Sequence, residues 1–150
     1  LIVTLDTPTN AVLSSPATHT VVIKDNEPNC PTPTGLPYFG TGSNKNLLAW
    51  DLQSQDPLVP TNLSEVTLHW PTGSEADVTS ITFGSPIFAG NASPPFMAVK
   101  TPNPLWSGAF VTRQMIIVFD VGPKSVSGDF YQIIATFEGC APISGIIPSD

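Results

Sequence analysis

The sequence is poor in charged residues, which make up 11% of its 150 residues, against about 25% in an average soluble domain. Lys and Arg number five, Asp and Glu twelve, and the formal net charge is −7. The five basic residues are scattered singly, so the chain offers no basic stripe that would neutralise phosphates. This distribution argues against a nucleic-acid partner. The polar positions are filled mainly by Pro, Thr, Ser, Asn and Gly, which is typical of extracellular β modules with many turns.

Two further patterns are missing. No stretch repeats apolar residues at helical spacing, and no apolar run approaches the roughly 18–20 residues of a membrane-spanning helix. Short alternating and β-branched runs, separated by Pro, Gly and Asn, instead predict about eight strands. They cover residues 46–52, 65–70, 78–83, 86–89, 95–100, 108–112, 114–121 and 130–137. This pattern predicts an all-β fold, an antiparallel β-sandwich of immunoglobulin-like or jelly-roll-like type.

The two longest runs carry the clearest positional information. Residues 114–121 are apolar on both faces, which predicts a central strand. Residues 130–137 form the second long run, and we expect residues 122–129 between the two to make a long hairpin loop.

Cysteine is nearly absent, because the chain contains only Cys30 and Cys140. Neither lies in a Cys-x-x-Cys motif or beside a metal-ligating neighbour, so one disulfide that ties the two ends of a domain is the favoured interpretation. The alternative is a pair of buried thiols in a cytosolic protein. A disulfide indicates an oxidising compartment, so we expect a secreted or cell-surface protein. The chain begins with Leu1, and we therefore expect a processed or excised chain.

The predicted organisation has three parts. Residues 1–28 contain two strand-like runs, at 1–5 and 18–23, and an isolated hairpin of that size is at best marginally stable in water. We therefore predict a two-stranded extension over residues 1–28, a β-sandwich over 29–142 and a C-terminal tail over 143–150. Residues 28–45 are rich in Pro and Gly and predict an irregular junction up to about Tyr38.

The backbone N–H and C=O groups of the N-terminal strands must find partners. These strands either pack on their own domain or add to the sheet of a neighbouring copy or surface-protein domain. A head-to-tail contact of the second kind repeats into a filament. The C-terminal tail, with Ile143, Ile146 and Ile147, is a second apolar segment able to dock in the same way.

The N-terminal segment resembles the last two strands of a Calx-β domain. The residues that carry the resemblance are Val-Thr-Leu-Asp-Thr-Pro-Thr-Asn at 3–10 and Thr-Val-Val-Ile-Lys-Asp-Asn-Glu at 20–27. The resemblance implies an extracellular or membrane-associated sandwich that binds calcium through acidic residues at its strand ends, here Asp25 and Glu27. Calcium needs several converging oxygen ligands, and the alternative interpretation is a solvated acidic turn. No other cofactor is expected.

Residues 29–140 resemble the C-terminal sandwich modules of large secreted bacterial surface proteins. The resemblance rests on three stretches: Leu-His-Trp-Pro at 68–71, Ile-Val-Phe at 117–119 and Phe-Glu-Gly-Cys at 137–140. It implies an extracellular location and a sandwich fold, and it implies no chemistry.

The sequence gives little support for a catalytic site. Asp51, Asp56, Glu65, Glu75 and Asp77 are candidates for the acid and base of a glycosidase, but carboxylates on the loops of an acidic protein usually serve solubility. The sequence contains no Gly-x-Ser-x-Gly elbow. We therefore expect no enzymatic activity.

Aromatic and asparagine residues suggest a binding module as the alternative. Trp50 and Trp70 lie in predicted strands and are expected in the core, whereas Trp106 lies in a predicted loop and is the candidate platform for a glycan. Asn62 and Asn91 begin Asn-x-Ser sequons in predicted loops and are candidate glycosylation sites. The leading hypothesis is an extracellular structural or adhesive cell-surface protein, and its more specific form is a filament subunit assembled by β-strand complementation. The alternative is a carbohydrate-binding β-sandwich.

Overall fold

A computed structural model describes residues 30–55, 61–101, 105–106, 111–122 and 128–148. The predicted extension over residues 1–28, including Asp25 and Glu27, lies outside the described residues. The described chain forms strands in the following order: β1 Thr32–Pro33, β2 Tyr38–Phe39, β3 Leu47–Gln53, β4 Thr61–His69, β5 Val78–Phe83, β6 Ser85–Ala92, β7 Phe96–Lys100, β8 Leu105–Trp106, β9 Thr112–Phe119, β10 Phe130–Phe137 and β11 Ile143–Pro148. Two single turns of 3₁₀ helix, Gly42–Asn44 and Thr72–Ser74, are its only helical elements in these ranges.

The strands make two antiparallel sheets packed face to face, so the prediction of an all-β sandwich is confirmed. Sheet 1 has the order β1-β3-β9-β5-β6, with β2 also paired to β3. Sheet 2 has the order β11-β10-β4-β7, with β8 also paired to β4. All pairings in the described chain are antiparallel.

The two longest predicted strands occupy the centres of the sheets. In β9, Met115, Ile117 and Phe119 are fully buried between the sheets, and the strand lies between β3 and β5 as its two-sided apolar pattern predicts. In β10, alternate residues from Tyr131 to Phe137 face the core, and the strand lies between β4 and β11.

The prediction of a hairpin between these two strands is wrong. β9 belongs to sheet 1 and β10 to sheet 2, so the connection over residues 120–129 crosses from one sheet to the other. A physical reason is that each long strand already has two hydrogen-bonded neighbours, which leaves neither with a free side for the other.

The segment predicted as a C-terminal tail is instead strand β11 for most of its length. It pairs with β10 from Ala135↔Ile143 to Phe130↔Pro148. Ile143 and Ile147 pack against the core, while Ile146 is 44% exposed on the outer face. Side chains alternate along a strand, so Gly145 occupies the core-facing position between Ile143 and Ile147. A glycine at this position interrupts the apolar alternation, which is why the sequence pattern did not reveal the strand.

The core combines large aromatic side chains from both sheets. Trp50 and Trp70 are 0% and 2% exposed, which confirms that both lie in the core. Phe119 of sheet 1 meets Trp70 and Tyr131 edge to face, with ring centroids 6.4 Å apart in both pairs. Such edge-to-face pairs add to the free energy gained from burial alone.

At Gly145 the backbone of β11 lies close to Pro37 and to Trp50 of sheet 1. A Cβ atom at this position would lie 2.5 Å from Cγ of Pro37 and 3.0 Å from Cε2 of Trp50. Neither ring moves easily, because Pro37 and Trp50 are both buried. We expect Gly145→Ala to lower the free energy of unfolding by about 1–3 kcal/mol through overpacking, measured by urea denaturation.

Gly35 provides the matched control for this substitution. A Cβ atom there would meet nothing within 4 Å, so Gly35→Ala should leave the unfolding free energy nearly unchanged. Equal losses in the two variants would mean that the contact with Pro37 is not what excludes a side chain at Gly145.

Candidate functional site

Cys30 and Cys140 form the predicted disulfide, with their Cα atoms 5.6 Å apart, inside the usual range for such bridges. Because the chain has only these two cysteines, the alternative of two free thiols is excluded in this structure. Cys140 lies between β10 and β11, so the bond fixes the start of the described sandwich to this connection. A disulfide fits an oxidising environment. No helix within the described ranges is long and apolar enough to cross a membrane.

A hydrogen-bonded cluster of Tyr38, Asp51 and Gln114, here called the Tyr38 cluster, lies on the outer face of sheet 1. The Gln114 amide nitrogen Nε2 donates to the Tyr38 hydroxyl at 2.8 Å and to Asp51 Oδ1 at 2.9 Å. The Tyr38 hydroxyl in turn donates to Asp51 Oδ2 at 3.4 Å. Asp51 and Gln114 are directly opposite each other on β3 and β9. The three groups therefore hold one another in fixed positions.

The Tyr38 ring must cross above β3. Tyr38 belongs to β2 on one side of β3, while its hydroxyl group meets Gln114 of β9 on the other side. Ala49 lies opposite Tyr38 and faces outward, between the core residues Leu48 and Trp50. Ala49 is nevertheless only 7% exposed, as expected if the ring covers it. Tyr38 itself is 46% exposed, so one surface of the ring faces solvent.

An open trough of about 490 Å³ adjoins this cluster. We call it the sheet 1 trough, and it is lined by Thr82, Gly84, Ser85, Pro86, Thr112, Arg113, Gln114 and Ile116. Gln114 belongs to both the cluster and the trough. The Arg113 guanidinium lies 5.5 Å from the centroid of the Phe83 ring, in a cation–π arrangement. The outer face of sheet 1 therefore combines an exposed aromatic ring, amide and carboxylate groups, and a concave surface.

The outer face of sheet 2 carries a smaller depression of about 150 Å³. His69, Asp129 and Phe130 are among its lining residues. The His69 ring packs on the Phe96 ring, with centroids 4.8 Å apart. Phe96 and Phe130 are 51% and 45% exposed. This depression therefore has aromatic rings around it but offers less concave space than the sheet 1 trough.

The sequence reasoning placed Trp106 in a loop, and the backbone corrects this. Trp106 belongs to the two-residue strand β8, where it lies opposite Thr61 of β4. The Pro and Gly residues on either side of it predicted a loop, but a strand of two residues needs only a short extended stretch. The side chain of Trp106 lies outside the described part of the structure.

Both sequon asparagines lie in strands and not in the predicted loops. Asn62 is the second residue of β4, and its Nδ2 donates to Glu138 Oε2 at 2.9 Å. Asn91 lies near the end of β6, where its Nδ2 donates to Asp77 Oδ2 at 2.8 Å. Asn is generally depleted in strands, but here both lie close to strand ends, where side-chain partners are available. Glycosylation at either residue stays a prediction.

The candidate carboxylates Asp51, Glu65 and Asp77 lie at three different places in the sandwich. Asp51 lies on the outer face of sheet 1, and Glu65 lies opposite Lys100 and Thr136 on sheet 2. Asp77 is bound to Asn91 near one end of β5. The described residues contain no group of three or more His, Cys, Asp or Glu that would hold a metal ion. Asp56, and the calcium candidates Asp25 and Glu27, lie outside these residues.

Tyr131 lies in the core, and the pKa of its hydroxyl group is shifted. Its burial raises the pKa of Tyr131 above the ordinary value, the Ser74 hydroxyl lowers this pKa in part, and the negative charge of Asp129 raises it further. The phenol is therefore protonated at neutral pH, and its ring packs against Phe39 and Phe119. These contacts indicate a structural role.

Sequence reasoning missed the Tyr38 cluster as a unit. It placed Tyr38 at the end of an irregular junction and Asp51 among the candidate catalytic carboxylates, and it did not select Gln114. One available signal was a polar residue at an outward position of each of two strands, Asp51 in β3 and Gln114 in β9.

The fold and these surfaces define the protein as a disulfide-bonded, two-sheet antiparallel β-sandwich. Compared with protein-family models, curated proteins and solved structures, the chain matches none. The resemblances to Calx-β domains and to bacterial surface modules therefore stay predictions.

Proposed function

We propose that this chain is a non-catalytic structural or adhesive module of an exported cell-surface protein, which assembles with neighbouring copies by strand addition. The observation that carries the proposal is the edge formed by β11. Within the described residues, β11 has a neighbouring strand on one side only. Its other side presents backbone N–H and C=O groups that an added strand would satisfy.

The β11 edge differs from the edges formed by β6 and β7. It contains no charged residue, and its pairing with β10 runs without a register shift. The β6 edge contains Pro86 and has two register irregularities in its pairing with β5. The β7 edge ends in Lys100. Proline, charge and irregular pairing are the features that usually protect an edge from further pairing, and β11 lacks them up to Pro148.

The proposed donor is the strand predicted for residues 18–23 of a neighbouring copy. This run has the sequence Thr-His-Thr-Val-Val-Ile. Five of its six residues are β-branched, which suits it to an added strand. Donation from one copy to the β11 edge of the next is a head-to-tail contact, and such a contact builds a filament when it does not close into a ring.

We expect Ile146→Lys to weaken this assembly. Ile146 is 44% exposed on the edge strand, so the substitution is compatible with folding. It removes an apolar cross-strand contact with the donor and introduces a charge at the edge. The concentration at which large particles form should rise several-fold, measured by light scattering after size-exclusion chromatography.

Val121→Lys is the matched control, because Val121 is 48% exposed and follows the end of β9. It should assemble like the unmodified chain. Val22→Pro, in the proposed donor, should weaken assembly independently of β11. A chain that stays monomeric at every concentration, or assembly that is unaffected by both Ile146→Lys and Val22→Pro, would contradict the proposed mechanism.

A further inference from the structure

We propose that the Tyr38 cluster and the sheet 1 trough together form a binding site for a neutral oligosaccharide. Tyr38 supplies the aromatic platform, Asp51 and Gln114 supply hydrogen-bonding groups beside it, and the trough continues the site across β9 towards Thr82. The inference goes beyond the proposed assembly, since the outer face of sheet 1 is separate from the edge of β11 in sheet 2.

The exposed ring of Tyr38 is suited to stacking against a sugar. A pyranose ring has C–H groups on its faces and hydroxyl groups around its rim, so it packs on an aromatic surface while its rim makes hydrogen bonds. Tyr38 lies across β3 with 46% of its surface exposed. Its hydroxyl group is held by Gln114 and Asp51, which fixes the ring without covering its outer surface. A platform held in place before binding reduces the ordering cost of binding.

The polar groups beside the ring are matched to sugar hydroxyl groups. Asp51 accepts hydrogen bonds only, and its two oxygens together offer about four lone-pair directions. Gln114 makes two of the three hydrogen bonds in the cluster, and its NH₂ group donates both of them, so its carbonyl oxygen Oε1 is not used within the cluster. Thr82 and Thr112 add hydroxyl groups to the lining of the trough. Neighbouring acceptors and hydroxyl groups on rigid strands can recognise adjacent hydroxyl groups of one sugar.

Size and charge favour a neutral oligosaccharide. The trough has a volume of about 490 Å³, within the roughly 300–1,000 Å³ of small-molecule sites, and the Tyr38 ring extends the contact surface beyond it. The charge nearest the platform is the Asp51 carboxylate, and the chain has a formal net charge of −7. Both disfavour an acidic sugar close to Tyr38. Arg113 lines the trough, but its guanidinium packs over Phe83.

The depression on sheet 2 is a weaker candidate for the same ligand. Its volume is about 150 Å³, and the rings of His69 and Phe96 pack on each other. The proposed site also moves the glycan platform from Trp106, which the sequence suggested, to Tyr38.

The test is native affinity electrophoresis of the full chain in gels that contain soluble neutral polysaccharides: xylan, mixed-linkage β-glucan, galactomannan, amylose or hydroxyethylcellulose. An array of neutral and acidic oligosaccharides extends the range of probes. We expect at least one neutral glycan to retard the chain. Tyr38→Ala should lower its apparent affinity at least tenfold by removing the platform, and Gln114→Ala should lower it about two- to tenfold through the lost hydrogen bonds.

Two further variants separate the site from general effects. Phe96→Ala removes a ring of similar size and exposure on the opposite sheet, and it should retain full binding. Tyr38→Phe keeps the ring but removes its hydroxyl group, so it should bind more tightly than Tyr38→Ala and more weakly than the unmodified chain. Thermal unfolding of each variant confirms that it is folded before its binding is compared.

Three outcomes would overturn the inference. The first is the absence of binding to every neutral glycan in both assays, and the second is binding confined to acidic glycans. The third is binding that survives Tyr38→Ala, or that Phe96→Ala removes to the same extent. Each outcome is distinguishable from a failure of the assembly proposal, because assembly is measured without glycan and through Ile146.

Discussion

Replacing both cysteines, as Cys30→Ala together with Cys140→Ala, is expected to lower the free energy of unfolding by about 5 kcal/mol. The bond spans a sequence separation of 110 residues, and in the chain-entropy model a cross-link of that length removes a large number of unfolded conformations. The loss is comparable with the entire stability of many domains, about 5–15 kcal/mol. The variant should therefore unfold at a much lower denaturant concentration, and part of it should be unfolded at physiological temperature.

Reduction of the unmodified chain is the control that separates the bond from the side chains. Cys140 packs against the core, so a substitution there also alters packing. The reduced chain keeps both sulfur atoms and loses only the cross-link. Urea unfolding followed by tryptophan fluorescence should give similar losses for the reduced chain and the double variant. If oxidised and reduced chains differ by less than about 1 kcal/mol, the entropic account of this cross-link is incorrect here.

The large loss of stability expected without the disulfide also follows from where the bond lies in the fold. It joins the residue that begins the described sandwich to the connection that leads into β11. β11 has a single strand neighbour among the described residues, and β1 is only two residues long. Both ends of the sandwich would otherwise be prone to fraying, since terminal elements with few contacts open locally at low cost. The bond therefore stabilises these two terminal elements of the described sandwich together.

Strands with a strong local pattern could be predicted from the sequence. The predictions for residues 78–83 and 130–137 match the bounds of β5 and β10. In β10 apolar residues recur at every second position, and β5 is rich in β-branched residues and ends before Gly84 and Ser85. The short strands β1 and β2 lie inside a Pro- and Gly-rich stretch, where two-residue pairings leave no periodic signal.

The pairing of strands and the candidate site could not be predicted in the same way. Whether β9 meets β10 or crosses to the other sheet depends on contacts between residues far apart in the chain. The Tyr38 cluster has the same property, because Tyr38 and Gln114 are 76 residues apart in sequence. Only the pairing of β2 and β9 on opposite sides of β3 brings them together. Local patterns identify which side chains face outward, but the sheet order decides which of them become neighbours.

The second large effect is expected at Trp70, where Ala should lower the free energy of unfolding by about 4 kcal/mol or more. The indole is 2% exposed and packs edge to face on Phe119, so truncation leaves a cavity of the kind that costs about 3–5 kcal/mol. The indole Nε1 also donates to the carbonyl oxygen of Ala76 at 2.8 Å. Ala76 is itself fully buried, so its carbonyl oxygen would lose its partner without gaining access to water, which adds to the cost.

Phenylalanine substitutions separate the lost hydrogen bond from the lost volume. Trp50 is equally buried, but its Nε1 donates to the carbonyl oxygen of Gly35 at 3.0 Å, and Gly35 is exposed to solvent. Water can therefore replace Trp50 as a donor, whereas it cannot reach Ala76. We expect Trp70→Phe to cost about 1–2 kcal/mol more than Trp50→Phe, as measured by urea unfolding of both variants. Equal costs would show that the Ala76 carbonyl oxygen finds another donor in the variant. A larger cost for Trp50→Phe would contradict the prediction, because the hydrogen bond to the exposed Gly35 carbonyl would then contribute more to stability than the bond to the buried Ala76 carbonyl.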